Sequence, residues 1–475
     1  MTREFRRAFI LLLDGARPDF IRELAAEGRL PNIARHFIER GTAADAVTVF
    51  PSTTGPAHLP YLTGRFPGPC NVPGIRWFDR GAYARTVVGA SRFRSYMGLG
   101  SLFLGRDIAP SARTLFEEIP DHALIGGTVT KGVGSGRNLT RFSRIVAAAR
   151  SFLAEDWFII DRLSGAQLQK AAGAPTEFTF AAFYSIDACA HKKGPRSTEA
   201  LSAYERLDTV LGEFFLTLER RGDLDSTFVT IVSDHGASET QTHFDLAGLV
   251  ERTVGRTLTH PFGALRWVGA RSAVMVSGNA MAHISVAGPR GFRDPVFIDA
   301  PSPDLARVIE ALLESESIDV LAGRTSSGAI VVKSARGAAR ITSNPAGIAY
   351  SVDGSDPFGF PPLPAVMTSL DALRLTATTD YPDAIVQLAQ LFTSARTGDV
   401  VVSARLGHDL RARFEKPPHI GSHGSLHRAH MLVPLFTNVP IAPGPHRSVD
   451  VHPTVLKCLG HEVPHGLDGV AIDFV

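Results

Sequence analysis

The chain has 475 residues, of which 44% are apolar and 20% charged, and 49 basic against 47 acidic residues leave a formal net charge of +2. That length calls for one large domain with insertions, or for two domains. The near-balance of charge gives no support for a nucleic-acid or membrane-surface partner. Three cysteines, Cys70, Cys189 and Cys458, form no CxxC pair, which argues against a disulfide framework and for a reducing compartment.

The apolar run Phe9–Leu13 near the basic start is too short for a signal peptide, and Asp14 follows it at once. No stretch reaches the roughly 18 apolar residues of a membrane span. The expectation is a cytoplasmic protein. Ala8–Leu13 reads as a strand buried on both faces. Helices are expected over Pro18–Gly28 and Pro31–Arg40, then a strand over Thr42–Phe50. After it comes FPSTTGPAHLPYLTG, whose prolines make a shaped loop rather than a helix. Ala123–Thr128 and Phe178–Tyr184 are further buried strands, and the glycine-rich GGTVTKGVGSGRN after the first reads as a flexible loop. Ser197–Arg221 has the clearest helical periodicity, and Thr227–Ser233 is a strand ending in Asp234-His235. Val274–Val286 suggests a hairpin-like pair, Leu305–Leu313 and Pro382–Phe392 helices, Val400–Ala404 a strand and Pro453–Leu459 a closing helix. This rhythm predicts a mostly parallel α/β sheet, interrupted at 80–176 and 255–400 by stretches that read as insertions able to roof a site.

The polar residues that stand out follow strands or sit in loops. Asp14 ends FILLLD, and Asp187 follows FTFAAFYSI with His191 four residues on. Asp234 and His235 end TFVTIVSDH, and His423 lies in the glycine-flanked IGSHGSLHRAH. Singly, each has a plain explanation as a cap or turn. Jointly they share the edge where open α/β sheets bind ligands, with Thr53 and Thr54 beside them. Aspartate and neutral imidazole are zinc ligands. Two ions about 3.5–4 Å apart can hold a phosphoryl group while one oxygen attacks and another leaves. A metal-bound threonine hydroxyl becomes a nucleophile near neutral pH.

FILLLDG, FPSTTGPAH followed by LTG, FYSIDACAH, VSDHG and GSHG resemble, in order, the motifs of the alkaline phosphatase superfamily. The nearest branch is the type I phosphodiesterase / nucleotide pyrophosphatase family, and the resemblance runs from residue 9 to about 473. It implies one catalytic domain over 1–475, an alkaline-phosphatase-like α/β/α sandwich with a mostly parallel sheet and inserted cap segments. It implies Thr54 as nucleophile, with Thr53 a neighbour. Asp14, Asp234, His235 and Thr54 would hold one divalent ion and Asp187, His191 and His423 the other, zinc first and manganese second. His58 would be structural support. Three positions depart from the family pattern. Gly55 stands where many members have phenylalanine, Ala57 where many have asparagine, and Arg76 where an asparagine touches the phosphoryl oxygen. Arg76 can take over that contact with its forked donors. A nucleobase-stacking site is therefore in doubt, and Trp77 or Phe78 reads equally as pocket wall or core.

The expected activity is metal-dependent hydrolysis of a phosphodiester or phosphonate through a phosphothreonine. The substrate is a small phosphate ester. A phosphomonoesterase or phospho-group transferase is the alternative. It would need a cation at the pocket, for which Arg76, Lys131 and Lys192 are the candidates. A non-catalytic binding protein on the same fold would lack a ligand or the nucleophile, yet all seven positions are filled. Oligomeric state is not readable.

Overall fold

The computed structural model describes residues 5–86, 92–260, 269–344 and 347–475. The strand Arg7–Leu13 is buried at every position. It is flanked in parallel by Phe178–Phe183 on one side and Thr227–Val232 on the other. Successive side chains point to opposite faces of a strand. Accordingly Ala8, Ile10 and Leu12 enter one core with Leu59, Leu62, Leu115, Phe116 and Leu456. Phe9, Leu11 and Leu13 enter another with Phe20, Ile21, Leu168, Leu207, Leu211 and Phe214. Helices Pro18–Ala26, Phe158–Gly173 and Thr198–Arg221 cover the second face; Leu59–Thr63, Leu115–Glu118 and Val451–Cys458 cover the first. This is the expected α/β/α sandwich.

The central sheet has seven strands, in the order His446–Arg447, Thr42–Val47, Leu432–Thr437, Thr227–Val232, Arg7–Leu13, Phe178–Phe183 and His122–Ile125. Only Leu432–Thr437 runs against the others. The edge strand His122–Ile125 comes from within 80–176, so that stretch is partly sheet and partly roof.

Residues 257–404 build a second sheet of nine strands, running from Thr257–Thr259 at one edge to Val366–Met367 at the other. Its pairings are antiparallel apart from the first. The expected pair at 274–286 is the hairpin Ser272–Ser277 with Met281–Val286. Val400–Ala404, just past the second insertion, lies in the middle of this sheet. One buried cluster joins the sheets: Val47, Val49 and Phe50 pack with Val401, Val320 and Leu388. Cys70, Cys189 and Cys458 are buried and unpaired. Among the described residues no helix is long and apolar enough to cross a membrane.

Candidate active site

The parallel strands of the central sheet end at a common edge, and Leu432–Thr437, which runs against them, begins there. Asp14 follows Leu13, and Asp234 and His235 follow Val232 by two and three residues. Thr54 lies in the loop after Thr42–Val47, and His423 lies ahead of Leu432–Thr437. Asp187 and His191 sit on the helix Ser185–Lys193 after Phe183. The sequence pattern gave no helix there. Its i,i+4 spacing puts both side chains on one face. The helix start is held by buried Asp161, which accepts the N–H groups of Tyr184 (2.7 Å) and Ser185 (3.0 Å).

The structure brings the expected residues into two groups, Asp14, Asp234 and His235, and Asp187, His191 and His423, each with ligand atoms within 4.8 Å of one another. The groups adjoin, since the rings of His235 and His423 stack at 3.5 Å. All three histidines are oriented alike. Nδ1 of His191, His235 and His423 lies 2.8, 3.1 and 2.9 Å from the carbonyls of Gly421, Gly236 and Ser52. A carbonyl only accepts, so each Nδ1 carries the proton and each Nε2 keeps its lone pair for the site. Asp234 accepts through Oδ1 from the N–H groups of Gly15 and His235. Its Oδ2 faces Nε2 of His235 and of His58, each at 3.4 Å. His58 is thus a support for Asp234, as expected, and is itself fixed by Thr128.

The donor set fits divalent cations. Asp14 Oδ1, Asp187 Oδ1 and Asp234 Oδ2 are buried and have no hydrogen-bond partner. Burial, and then the carboxylates of Asp234 and Asp187, push the Asp14 carboxyl well above the ordinary range. Asp234 is also burdened by burial, but His235 and His58 outweigh this and hold it down at about 2. Burial, reinforced by His235 and His191, keeps His423 neutral, the form that binds a metal. Three acids, two of them fully buried, with buried orphaned oxygens around free imidazole nitrogens are costly without positive charge and favourable with it.

Thr54 Oγ1 lies 3.3 Å from Asp14 Oδ2 and 3.4 Å from His235 Nε2 and faces a cleft of about 600 Å³. Thr53 is fully buried. Two glycines make the floor possible. Gly15 has φ +73°, and a Cβ there would meet Asp187 Cβ at 2.9 Å. Gly55 has φ +96° and ψ −77°, a turn that side chains bearing a Cβ avoid. A phenylalanine is therefore excluded at 55 by backbone geometry.

Of the three cations considered at the pocket, only Arg76 is among its lining residues. Lys131 donates to the carbonyls of Ala109, Pro110 and Ala112, and Lys192 is exposed. Arg76 is buried, its Nη1 donates to Val276 O, and its Nε makes no hydrogen bond. Burial, then the charge of Arg411, lowers it to about 9. Trp77 and Phe78 are core: Trp77 packs edge-on against Tyr96, Phe78 against Phe292. The glycine-rich loop runs along the sheet edge, its Gly126 N–H held by Thr140.

Sequence reading missed three residues that line the cleft beside Arg76. Asn279, at the tip of the hairpin, donates to Glu415 (3.0 Å) and to His419 Nδ1 (3.1 Å). Burial and the nearby His191 ring push His419 down to about 3. The Glu-x-x-x-His spacing was the only available signal, and KPP within it hid its meaning.

The family model of type I phosphodiesterase / nucleotide pyrophosphatase matches residues 8–95 and 140–426. No curated protein matches the chain by sequence. Among solved structures it is similar to phosphonoacetate hydrolase from Sinorhizobium meliloti in complex with phosphonoacetate. The two are 16% identical, with TM-score 0.57, over 96% of this chain and 95% of the other. It is also similar to inactive murine ectonucleotide pyrophosphatase / phosphodiesterase 5 in complex with AMP: 14% identical, TM-score 0.56, over 98% and 97% of the chains. The human counterpart is 14% identical, with TM-score 0.58, over 97% and 96%. With the family's motifs assembled at one sheet edge, the chain belongs to the type I phosphodiesterase / nucleotide pyrophosphatase family and is a hydrolase acting on phosphate esters.

Proposed function

We propose that this chain hydrolyses phosphodiesters with Thr54 as nucleophile at a two-metal centre. The observation that carries the reading is the placement of Thr54 Oγ1 at the cleft floor, against Asp14 and His235, with the second ligand group adjoining. Asp14, Asp234 and His235, with Thr54, would hold one ion, and Asp187, His191 and His423 the other. Bound there, two divalent ions, zinc by donor type and manganese second, lower the hydroxyl pKa and neutralise charge on the phosphoryl oxygens. Thr54 Oγ1 forms the new P–O bond as the ester oxygen leaves. Water then cleaves the phosphothreonine and regenerates the hydroxyl. The helix Ser185–Lys193 and the three Nδ1–H to carbonyl bonds hold the ligands ready, and Arg76 orients a phosphoryl oxygen. The murine neighbour is described as inactive with one threonine changed to alanine, which accords with a threonine nucleophile in this fold. Three buried, unpaired thiols support a cytoplasmic setting.

The buried cation Arg76 also favours a second reading, a substrate with two acidic groups. A phosphomonoester is one, and a phosphonate bearing a carboxylate, as in the neighbour with phosphonoacetate, is another. The test uses wild type and Thr54→Ala. Metal content is measured, and turnover of bis-p-nitrophenyl phosphate, p-nitrophenyl phosphate and phosphonoacetate is compared. About two metal ions per chain, with diester turnover fastest and lost in the variant, is expected. Faster monoester or phosphonate turnover selects the second reading. Metal-free, inactive wild type overturns both.

A further inference from the structure

Four imidazole rings form a chain of contacts that starts at Thr54. Thr54 Oγ1 meets His235, His235 stacks on His423, and the rings of His423 and His191 lie 5.1 Å apart. His419 comes next, its ring 4.5 Å from that of His191, and it belongs to neither ligand group. It lines the cleft together with Asn279 and Glu415.

His419 is held the opposite way round from the three ligand rings. The side-chain nitrogen of Asn279 lies 3.0 Å from Glu415 Oε2 and 3.1 Å from His419 Nδ1, two atoms that are themselves 3.3 Å apart. A carboxylate only accepts, which puts the amide nitrogen rather than its oxygen on this side, and Nδ1 accepts the second N–H. An imidazolium has no lone pair to accept with, so the ring is neutral and its proton sits on Nε2. His191, His235 and His423 thus keep a lone pair at Nε2, whereas His419 carries an N–H there. Among the described residues no hydrogen-bond partner meets that N–H. The assembly is fixed from behind. Glu415 Oε1 lies 3.0 Å from Arg411 Nε, both side chains being 10% exposed. The Ala280 N–H donates to His423 O, and the Leu410 N–H to Asn279 O. A donor fixed in advance in a partly buried site stabilises developing negative charge without reorganising.

Resting on the phosphodiesterase reading, we propose that His419 is a catalytic residue whose Nε2–H donates a hydrogen bond to the leaving ester oxygen, with Asn279 as the positioning residue that sets its tautomer. In-line displacement puts the leaving oxygen across phosphorus from Thr54, toward the second ligand group and His419 beside it. As Thr54 Oγ1 forms its bond to phosphorus, the bond to the ester oxygen breaks and the electron pair goes with that oxygen. The threonine proton passes to water. His419 keeps its own proton and only shares it, by hydrogen bond, with the departing oxygen. An aryl oxide leaves as the anion, and an alkoxide takes a proton from water after release.

The test compares phenyl methyl phosphate with p-nitrophenyl methyl phosphate, two diesters that differ only in the leaving group. The phenyl ester concentrates more charge on its leaving oxygen and so depends more on the donor. Release of the aryl oxide is the step that kcat/KM reports. Losing one such donor costs about 100-fold, and less where the charge is delocalised, so His419→Ala should raise the p-nitrophenyl-to-phenyl ratio in kcat/KM about tenfold. About two metal ions per chain should remain. His419→Gln, which keeps an N–H near the Nε2 position, should hold the ratio near that of wild type. Asn279→Ala should raise it part of the way. In nitrogen NMR spectra of the histidine rings, the same variant should replace the Nε2–H form of His419 by a mixture of tautomers. The ratio is taken within each variant, so partial unfolding cancels. An unchanged ratio in His419→Ala overturns the proposal, whether or not the overall rate falls. So does loss of a metal ion in that variant, which makes His419 a ligand, and so does an Nδ1–H form of His419 in wild type. Wild type that turns over neither diester rejects the phosphodiesterase reading instead.

Discussion

The two sheets carry comparable amounts of buried apolar residue but contribute differently to the site. In the central sheet the three acids of the proposed metal centre follow within a few residues of strands clamped on both faces: Leu13 before Asp14, Phe183 before Asp187, Val232 before Asp234. Parallel strands all end on one side, so their rigid ends converge. In the second sheet the strands alternate in direction, so their ends divide between two edges. It reaches the cleft mainly through one hairpin tip, Gly278 and Asn279. Through Ser277 Oγ, which accepts the Ile75 N–H at 2.7 Å, it also fixes the strand that carries Arg76. The parallel sheet places the reacting groups, and the antiparallel sheet shapes what stands opposite them.

That contrast can be broken by cutting each side. Asp187→Ala removes a proposed ligand just past a central strand end. It should cost about one metal ion per chain and lower kcat by on the order of 10³-fold, the several kcal/mol that a metal supplies. Metal analysis and steady-state kinetics read both, and a variant retaining two ions would remove Asp187 from the ligand set. Arg76→Ala cuts the opposite wall. One charge-assisted contact is worth about 1.5–3 kcal/mol, so kcat/KM should fall about 10- to 100-fold with metal content unchanged. A loss as large as that of Asp187→Ala would place both walls in the chemistry.

The second sheet also carries a buried pH-sensitive group. His283 is fully buried between the sheets' linking loops. Its Nε2–H donates to Pro73 O at 3.0 Å, and its Nδ1 accepts from Gly398 N–H. Burial lowers it from 6.5 to about 4. The folded state therefore refuses a proton that the unfolded state binds. Its stabilising effect is complete above pH 6.5 and is lost as pH falls toward 4, amounting to about 3 kcal/mol. Urea unfolding at pH 7 and 4.5 should show a larger acid loss for wild type than for His283→Gln; equal losses would assign the acid sensitivity elsewhere. The smallest effect sharpens the comparison on the central side. Ser197 caps the helix Thr198–Arg221 by accepting from Ala200 N–H. Ser197→Ala should lower stability by about 1 kcal/mol and leave kcat unchanged, since no residue of that helix lines the cleft.

The strand ends were legible because a buried parallel strand is a continuous apolar run. Ala8–Leu13 and Thr227–Val232 announce themselves, and the acids that interrupt them fall at the sheet edge. The helix Ser185–Lys193 was not legible. Its local pattern is mixed, and it is fixed from outside by Asp161, 24 residues before Ser185. The nine-stranded sheet was read only as a hairpin and isolated elements, because antiparallel partners distant in sequence leave no shared local signal. Glu415 and His419 were missed for the same reason: their role depends on Asn279, 136 and 140 residues away.

By itself the sequence singled out the side chains proposed to carry the chemistry, since Asp14, Thr54, Asp187, His191, Asp234, His235 and His423 each sit in a short motif whose local context is nearly complete. Only the tertiary structure decided how they face one another: which imidazole nitrogen is free, that Thr54 Oγ1 stands against Asp14 and His235 while Thr53 Oγ1 is buried without a hydrogen-bond partner, and that Arg76 alone of three cations lines the cleft. It also decided the company of Arg76 in the cleft: Asn279, Glu415 and His419. Those depend on packing between segments far apart in the chain, and close packing of that kind is a property of the folded whole.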